Sequence, residues 1–321
     1  MKAVVFRRYG GPEVLGLAEI ATPGINDDQV LVRVHASSLN PFDWHRMRGE
    51  PYFMRAGEGW RGPKNTGLGA DLAGRVEAVG REVTHVAPGD EVFGMSIRAL
   101  AEYVAASGEG VVPMPTNLSF EEAAAVPLAG LTALQGLRKG GVEAGQTVLI
   151  NGASGGVGTF AVQIAKALGA EVTGVCSTGN VELVRSIGAD DVVDYTQEDF
   201  TRSGRHYDVV FDAVANRSAS ALRRVLRNDG TLVFGGGAKG GSGGRPLLRY
   251  AAAIAQRRFV RQTVVTYLTS RSRDDLLFLK ELIESGSVTP VIDRRYPLSE
   301  AADAMRHLES GHARGKVVIT L

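Results

Sequence analysis

The sequence predicts an α/β protein with an N-terminal β module followed by a doubly wound parallel sheet. Short apolar strands alternate with turns in the first part of the chain, whereas strands alternate with helices in the second part. The 321 residues, 44% of them hydrophobic and 22% charged, are enough to bury two ordinary cores. We therefore expect two domains rather than one large core.

The N-terminal β module extends to about residue 122. Strand patterns occur at residues 4–6, 29–36, 75–79 and 91–93. Ser119 and Glu122 then have the spacing of a capping box, in which each residue binds the backbone of the other at the start of a helix. We place the domain boundary just after this box.

From Thr147 onward the pattern changes to strand, turn and helix. Strands are predicted at residues 148–150, 171–176, 192–193, 209–211 and 232–234, with helices between them. One apolar stripe on the first of these helices comprises Val157, Phe160, Ala161, Ile164, Ala165 and Leu168. The glycine-rich residues 235–246 are predicted to form a loop, and the chain continues with a strand near 263–267, a helix at 274–285 and a last strand at 316–320.

A glycine-rich turn joins the first strand of this sheet to its first helix. Small residues at such a turn let the backbone approach a dinucleotide pyrophosphate, whose charge is stabilised by the helix N-terminus. The spacing departs by one residue from the usual G-x-G-x-x-G pattern. The residues expected to contact the cofactor are Gly152, Ala153, Ser154, Gly155, Gly156, Val157 and Gly158.

The end of the second strand indicates which nicotinamide cofactor is used. NAD sites usually carry an Asp or Glu there, whereas this chain has Cys176, Ser177 and Thr178. Hydroxyl groups can donate to a 2′-phosphate, and a missing carboxylate removes a source of repulsion. We therefore predict NADPH, bound by Ser177 and Thr178 and also by Tyr195.

Composition argues against several other classes of protein. Lys and Arg total 36 against 35 for Asp and Glu, so no positive surplus indicates a nucleic-acid partner. No apolar run reaches the roughly 18 residues that a membrane helix needs, and the N-terminus does not resemble a signal peptide, so we expect a cytoplasmic protein. With Cys176 as the single cysteine, the chain has no internal disulfide and no multi-thiolate zinc site.

Six motifs together resemble the quinone oxidoreductase branch of the medium-chain dehydrogenase/reductase superfamily over nearly the whole chain. They are Gly10-Gly11-Pro12-Glu13-Val14-Leu15, Asn40-Pro41-Phe42-Asp43, Gly69-Ala70-Asp71-Leu72-Ala73-Gly74-Arg75-Val76, Pro88-Gly89-Asp90-Glu91-Val92, the Gly152 loop and Gly315-Lys316-Val317-Val318.

This resemblance implies a domain plan and a place for the chemistry. It implies a GroES-like catalytic domain (1–124), a Rossmann NADPH-binding domain (125–261) and a C-terminal segment (262–321) that returns to the first domain. Hydride transfer is then expected in the cleft between the domains. Thr132 and Lys316 become candidate cofactor contacts, and a homodimer is expected through the last Rossmann strand near residues 261–268.

The same resemblance bears on a catalytic metal. The positions that hold zinc in the zinc-dependent relatives fall at Asn40, Ala70 and about Leu128, which do not form a zinc ligand set. Without a Lewis acid the substrate must already be electrophilic, which favours a quinone or a similar conjugated carbonyl compound. Two alternatives remain open, namely an enone or 2-alkenal double-bond reductase and an NADPH-binding scaffold or sensor with little turnover.

The candidate catalytic residues are Asn40, for orienting the substrate or nicotinamide, and Asp43 and His45, for polar contacts or proton transfer. Each has a structural alternative: Asn40 and Asp43 fix the turn at Pro41, and His45 is a packed or solvated histidine. Asp71 is interpreted as structural. Three aromatic residues either line an apolar substrate site or pack in the interior, namely Trp44, Phe53 and Trp60.

Overall fold

The computed structural model describes residues 1–235 and 261–321. The chain forms two compact units: Met1–Leu131 with Ser270–Glu284 and Pro290–Leu321, and Thr132–Thr269 with Ser285–Thr289. Beyond Gly235, the predicted glycine-rich loop lies outside the described residues. Within the described ranges, no helix combines the length and apolar character needed to cross a membrane.

Fifteen strands are described across these two ranges. They are β1 (Lys2–Val5), β2 (Gly16–Glu19), β3 (Gln29–Leu39), β4 (Asp71–Val79), β5 (Glu91–Met95), β6 (Tyr103–Ser107), β7 (Val111–Pro113), β8 (Thr147–Asn151), β9 (Glu171–Cys176), β10 (Asp191–Asp194), β11 (Tyr207–Asp212), β12 (Leu226–Phe234), β13 (Thr263–Thr266), β14 (Ile292–Pro297) and β15 (Lys316–Thr320).

The α-helices of the same ranges are α1 (Pro41–Arg48), α2 (Arg55–Glu58), α3 (Phe120–Ala124), α4 (Pro127–Lys139), α5 (Gly156–Ala167), α6 (Val181–Ser186), α7 (Ala219–Arg223), α8 (Arg273–Glu284) and α9 (Ala301–Ser310). Short 3₁₀ helices occur at Pro12–Val14, Tyr52–Met54, Gly108–Gly110, Thr178–Asn180, Phe200–Arg202 and Leu298–Glu300.

The first unit contains a two-stranded sheet and a seven-stranded sheet. The larger sheet has the order β14-β15-β3-β4-β5-β7, with β6 also paired to β3. All of its pairings are antiparallel except that of β14 with β15. The predicted strands are confirmed here, and β15 pairs with the end of β3, so the C-terminal residues complete the first unit's sheet.

Helix α1 was not predicted, and the structural alternative given for Asn40 and Asp43 was a turn at Pro41. Pro41 instead stands at the first helical position, where its missing N–H leaves no hydrogen bond unmade. The Asp43 carboxylate accepts the Asn40 backbone N–H, and the helix ends at Gly49 in the left-handed conformation. The capping box predicted at Ser119 and Glu122 is confirmed as the start of α3.

The second unit is a six-stranded parallel sheet with the order β10-β9-β8-β11-β12-β13. Numbered along the chain, this is the 3-2-1-4-5-6 order of a Rossmann fold. The predicted α/β class and doubly wound sheet are therefore confirmed. The single apolar stripe predicted for α5 is too narrow, because every residue from Gly158 to Ala165 is buried, whereas Val157 and Leu168 are only half-buried.

Candidate active site

The glycine loop lies between the end of β8 and the start of α5, as predicted. Gly155 precedes the helix in an extended conformation, and Gly156 and Val157 begin its first turn. At Gly158 a Cβ atom would overlap the Gly152 carbonyl oxygen, so this position needs glycine for the helix to lie close to the strand end. The loop and helix are thus packed tightly together before any ligand is considered.

Gly155 is different, because the protein itself does not require glycine there. The nearest atom to a Cβ at Gly155 would be the Gly152 oxygen at 3.5 Å, which is an ordinary contact. Its backbone therefore borders open space at the N-terminus of α5, where first-turn N–H groups lack acceptors within the helix. A glycine with no side chain, next to backbone N–H groups that have no acceptor within the helix, leaves room and hydrogen-bond donors for the phosphate groups of a dinucleotide.

Not every predicted loop residue can contribute a backbone donor. The N–H groups of Gly152 and Ala153 both donate to the Val175 carbonyl, at 3.1 and 3.0 Å. Ala153 is fully buried. Within the described residues, the donors that remain for a phosphate group are the backbone N–H groups of Ser154, Gly156 and Val157 and the half-buried Ser154 hydroxyl.

The structure brings Ser177, Thr178 and Tyr195 together at the end of β9. Ser177 precedes the 3₁₀ helix that Thr178 begins, and the Tyr195 backbone N–H donates to the Cys176 carbonyl at 3.0 Å. Asn180 was not singled out from the sequence, although it stands three residues after Ser177. Its amide contacts both Ser154 and Ser177.

A carboxylate lies close to the residues at the end of β9, which the sequence did not indicate. Asp194 at the end of β10 is paired in register with Cys176, and its Oδ2 accepts the Thr178 hydroxyl at 2.5 Å. This hydrogen bond keeps the pKa of Asp194 below its usual value. Although β9 itself ends without an acidic residue, the neighbouring strand β10 supplies a negative charge at the same place. The expectation that no carboxylate lies near Ser177 and Thr178 was therefore wrong.

The pKa of the Cys176 thiol is raised to about 11, chiefly by burial and then by the charge of Asp194. The group is therefore a neutral thiol at physiological pH, without the thiolate character of a reactive cysteine.

Thr132 is held on α4 by two residues near the end of the sheet. Its hydroxyl hydrogen bonds to the Thr269 hydroxyl at 2.8 Å, and its carbonyl accepts the Tyr267 hydroxyl. Burial raises the pKa of Tyr267, which keeps this phenol protonated as a donor. Contact between Thr132 and a nicotinamide stays a prediction.

In the first unit, Lys316 lies in a buried network rather than at an open surface. Its ammonium donates to Leu39 O at 3.2 Å, Asn40 Oδ1 at 2.5 Å and Asp71 Oδ2 at 3.2 Å. The Lys316 and Asp71 side chains are 2% and 0% exposed. Because an ammonium has three donors, none is left for the predicted cofactor contact, which these contacts do not support.

Asp71 is the centre of this network. Its Oδ2 also accepts the Ser38 hydroxyl at 2.6 Å and the Asn40 Nδ2 at 2.8 Å, while its Oδ1 accepts the Leu128 backbone N–H at 2.8 Å. Strands β3, β4 and β15 and the start of α4 are thus joined at one carboxylate. Asn40 is 4% exposed, so its contacts are those of an interior amide that fixes the local structure.

Asp43 is fully buried and accepts two backbone N–H groups, from Asn40 at 2.8 Å and Gly69 at 3.0 Å. Burial, opposed by these hydrogen bonds, raises the pKa of its carboxyl to about 6. Both oxygens are therefore engaged in holding α1 against the Gly69 turn. The catalytic role of Asp43 stays a prediction that these contacts do not favour.

His45 is half-buried and stacks on Trp44, with 3.7 Å between ring centres. Its Nδ1 donates to the Glu50 carbonyl at 2.7 Å, because a carbonyl can only accept. Burial lowers the pKa of the ring, so Nε2 carries a lone pair at neutral pH and acts as an acceptor. Trp44 is 8% exposed and packs in the core, Trp60 is 66% exposed, and the Phe53 side chain lies outside the described residues.

Two family descriptions match this sequence. "Alcohol dehydrogenase GroES-like domain" matches residues 26–116, and "Zinc-binding dehydrogenase" matches residues 187–319.

Three known proteins are similar to the chain along most of their length. The 2-methylene-furan-3-one reductase of Solanum lycopersicum is 36% identical, over 99% of this chain and 79% of its own. The NADPH-dependent alkenal/one oxidoreductase of Arabidopsis thaliana shows the same identity and coverage. The quinone oxidoreductase structure from Coxiella burnetii has a TM-score of 0.87 at 32% identity, covering 100% of this chain and 99% of its own. The chain belongs to the quinone oxidoreductase branch of the medium-chain dehydrogenase/reductase superfamily. It is an oxidoreductase of that superfamily.

The residues around Asp71 stand at the positions that hold the catalytic zinc in zinc-dependent members of this superfamily. Asn40 and Leu128 both hydrogen bond to Asp71, and Ala70 directly precedes it. The three positions that the resemblance assigned to zinc ligands therefore adjoin one buried carboxylate that is already paired with Lys316. Among the described residues, no three His, Cys, Asp or Glu side chains are grouped as they would be to bind a metal ion.

Proposed function

We propose that this chain is a zinc-independent, NADPH-dependent reductase that transfers hydride to a quinone or a related conjugated carbonyl compound. The observation that carries the proposal is the buried pair of Lys316 and Asp71, which adjoins the three positions that hold zinc in the zinc-dependent relatives. A zinc ion there would meet Asn, Ala and Leu side chains and would have to displace an ammonium from its carboxylate.

Hydrogen-bonding and steric features support NADPH as the cofactor. The N–H groups at the start of α5 can bind the diphosphate, and the hydroxyls of Ser177, after β9, and Ser154, which Asn180 joins to it, can donate to a 2′-phosphate. One similar protein at 36% identity carries NADPH in its name. Asp194 opposes this choice through its charge, so both cofactors belong in the test.

The mechanism needs little from the side chains beyond binding and orientation. When bound, a reduced nicotinamide supplies a hydride to the substrate. Without a Lewis acid, the acceptor must be a quinone or an enone, whose oxygen needs only hydrogen bonds as it gains charge. Because the neutral His45 ring offers an acceptor and not a proton at Nε2, we assign the final proton to water.

A second candidate is an enone or 2-alkenal double-bond reductase. Two similar proteins at 36% identity are named for furanone and alkenal/one substrates, whereas the quinone-named structure is 32% identical. Both candidates use the same conjugated acceptor chemistry, so the choice depends on the shape of the substrate site.

We also propose a homodimer formed through β13, which is the last strand of the six-stranded sheet among the described residues. The outer side of such a strand can pair with a second copy of the same strand.

The decisive test is NADPH oxidation by purified, chelator-treated protein, followed by absorbance with a panel of quinones, enones and simple ketones. We expect turnover with conjugated acceptors only, faster with NADPH than with NADH and unchanged by the chelator. Ketone reduction that zinc restores would contradict the zinc-independent proposal. Cofactor binding without turnover of any acceptor would instead favour a scaffold or sensor.

A further inference from the structure

The Asn180 amide joins two hydroxyl groups that come from separate parts of the second unit. Its Nδ2 donates to Ser154 Oγ at 3.1 Å and to Ser177 Oγ at 3.2 Å. Ser154 belongs to the glycine loop, and Ser177 follows β9. One side chain therefore connects the loop that precedes α5 with the strand end where a ribose 2′-substituent is expected.

The direction of these two hydrogen bonds determines what the serines can do. A hydroxyl has one hydrogen, and an oxygen that accepts from Asn180 must point that hydrogen elsewhere. In the part of the chain that the structure describes, the Ser154 and Ser177 hydroxyls donate to no other group. Both serines are partly exposed, so two O–H donors are available to an anion from solvent.

The amide orientation also has a physical basis. The Asn180 Oδ1 is buried and accepts no hydrogen bond from the described residues. If the amide were reversed, the serine hydroxyls would donate to Oδ1, and the buried NH₂ group would lose both of its acceptors. One unpaired acceptor costs less than two unpaired donors, which favours the orientation that leaves the hydroxyls free to donate.

The neighbouring hydroxyl shows the opposite arrangement. Thr178 donates to the Asp194 carboxylate at 2.5 Å, so its hydrogen is already engaged by a negative charge. A phosphate that approaches this corner therefore finds donors at Ser154 and Ser177 and an acceptor pair at Thr178 and Asp194. By donating to both serine oxygens, Asn180 orients the two hydroxyl hydrogens away from itself.

We propose that Asn180 is a positioning residue that directs the Ser154 and Ser177 hydroxyls toward the 2′-phosphate of the cofactor. This inference rests on the proposed use of NADPH and adds a residue that determines specificity for it. Two aligned hydroxyl donors contribute less binding free energy to a neutral 2′-hydroxyl than to a phosphate dianion, because hydrogen bonds to charged groups are stronger. Asn180 therefore selects against NADH without contacting either cofactor.

Asn180→Asp tests this by reversing the hydrogen bonds, since a carboxylate can only accept from the two serines. Asn180→Leu removes the amide donors without adding charge. The probes are adenosine 2′,5′-bisphosphate and adenosine 5′-monophosphate, titrated by calorimetry. We expect Asn180→Asp to weaken bisphosphate binding by at least about tenfold and Asn180→Leu by about three- to tenfold, while binding of the monophosphate changes less than about twofold.

Asn117→Asp is the matched control, because the Asn117 amide donates to the Ile283 carbonyl in the first unit. It should leave both affinities unchanged, and circular dichroism should show that all variants are folded. Equal weakening of both probes by the Asn180 variants, or no effect, would overturn the role of Asn180 while leaving NADPH use intact. A wild-type protein that does not prefer the bisphosphate would overturn the NADPH proposal itself.

Discussion

Asp71 shows how a single buried carboxylate can organise a site. Its carboxylate accepts hydrogen bonds from the Ser38, Asn40 and Lys316 side chains and from the Leu128 backbone N–H, and these residues come from three widely separated parts of the sequence. Burying the Lys316–Asp71 ion pair costs desolvation free energy, and the attraction between the two charges offsets that cost only when both charges and their hydrogen-bond partners are present. The residue-level consequence is that removing one charge should be worse than removing both.

We therefore expect Lys316→Met to lower the free energy of unfolding by about 3–5 kcal/mol, because it leaves the Asp71 charge buried and unpaired. Adding Asp71→Asn should restore a large part of that loss. Urea unfolding measures both. Arg75→Met is the control, since the Arg75–Glu91 pair is exposed and should contribute little. A double variant less stable than Lys316→Met would contradict this account.

The buried Asp43 should give stability a pH dependence of its own. Its pKa in the native protein is about 6, above its ordinary value of 3.8, chiefly through burial. As pH rises from about 4 to 6, the unfolded chain loses this proton first, so native stability falls, by about 3 kcal/mol in total. Urea midpoints at pH 4 and pH 7 should show this fall in the wild type relative to Asp43→Asn. Parallel pH profiles for the two proteins would refute it.

At the scale of elements, the strands and the glycine loop could be predicted because their signals are local. Alternation of apolar residues specified β3, and the small residues at 151–158 specified the turn before α5. Helix α1 could not be recognised as easily, because Asn-Pro is compatible with both a turn and a helix start. What decides it is the Asp43 carboxylate, which is stabilised by the backbone of Gly69, a residue distant in sequence.

Site residues were harder to predict for the same reason. Ser177 and Thr178 were identified from strand β9 alone, whereas Asp194 and Asn180 also contact residues that only folding brings near them, Cys176 for Asp194 and Ser154 for Asn180. Lys316 was assigned to the cofactor by motif, but its partners Asn40 and Asp71 lie more than 200 positions earlier in the chain. A sequence motif gives a residue's place in an element and not the partners it meets across a sheet.

Gly155 and Gly158 of the glycine loop should respond differently to alanine. Gly158→Ala places a methyl group against the Gly152 carbonyl, so we expect a clear loss of stability. Gly155→Ala has room within the protein and an ordinary backbone conformation, so the fold should persist while the methyl group obstructs the phosphate.

For Gly155→Ala we expect at least about tenfold weaker NADPH binding, by fluorescence titration, with an unchanged unfolding midpoint. Gly16→Ala, which meets no atom within 4 Å, is the control for an alanine away from the loop. Wild-type affinity in Gly155→Ala would show that the open space beside this residue does not receive the cofactor.

For the whole molecule, the fold class could be predicted from the order of strands and helices along the chain. The association state depends on which residues lie together on the surface of the folded protein, and the sequence alone does not show this. β13 pairs with β12 on one side and, among the described strands, has no neighbour on the other. Two residues beyond this strand, Leu268 is 94% exposed. A dimer interface formed through β13 would also cover this side chain.

We therefore expect sedimentation to show a dimer for the wild type and a monomer for Leu268→Asp, because a carboxylate in the interface would lose its hydration without gaining a partner. Thermal unfolding of a low-concentration sample should be unchanged by this substitution, since Leu268 already contacts solvent. Leu17→Asp alters another exposed leucine, on β2, and should remain dimeric. A monomeric wild type would reject the dimer, and a Leu268→Asp protein that stays dimeric would place its interface elsewhere.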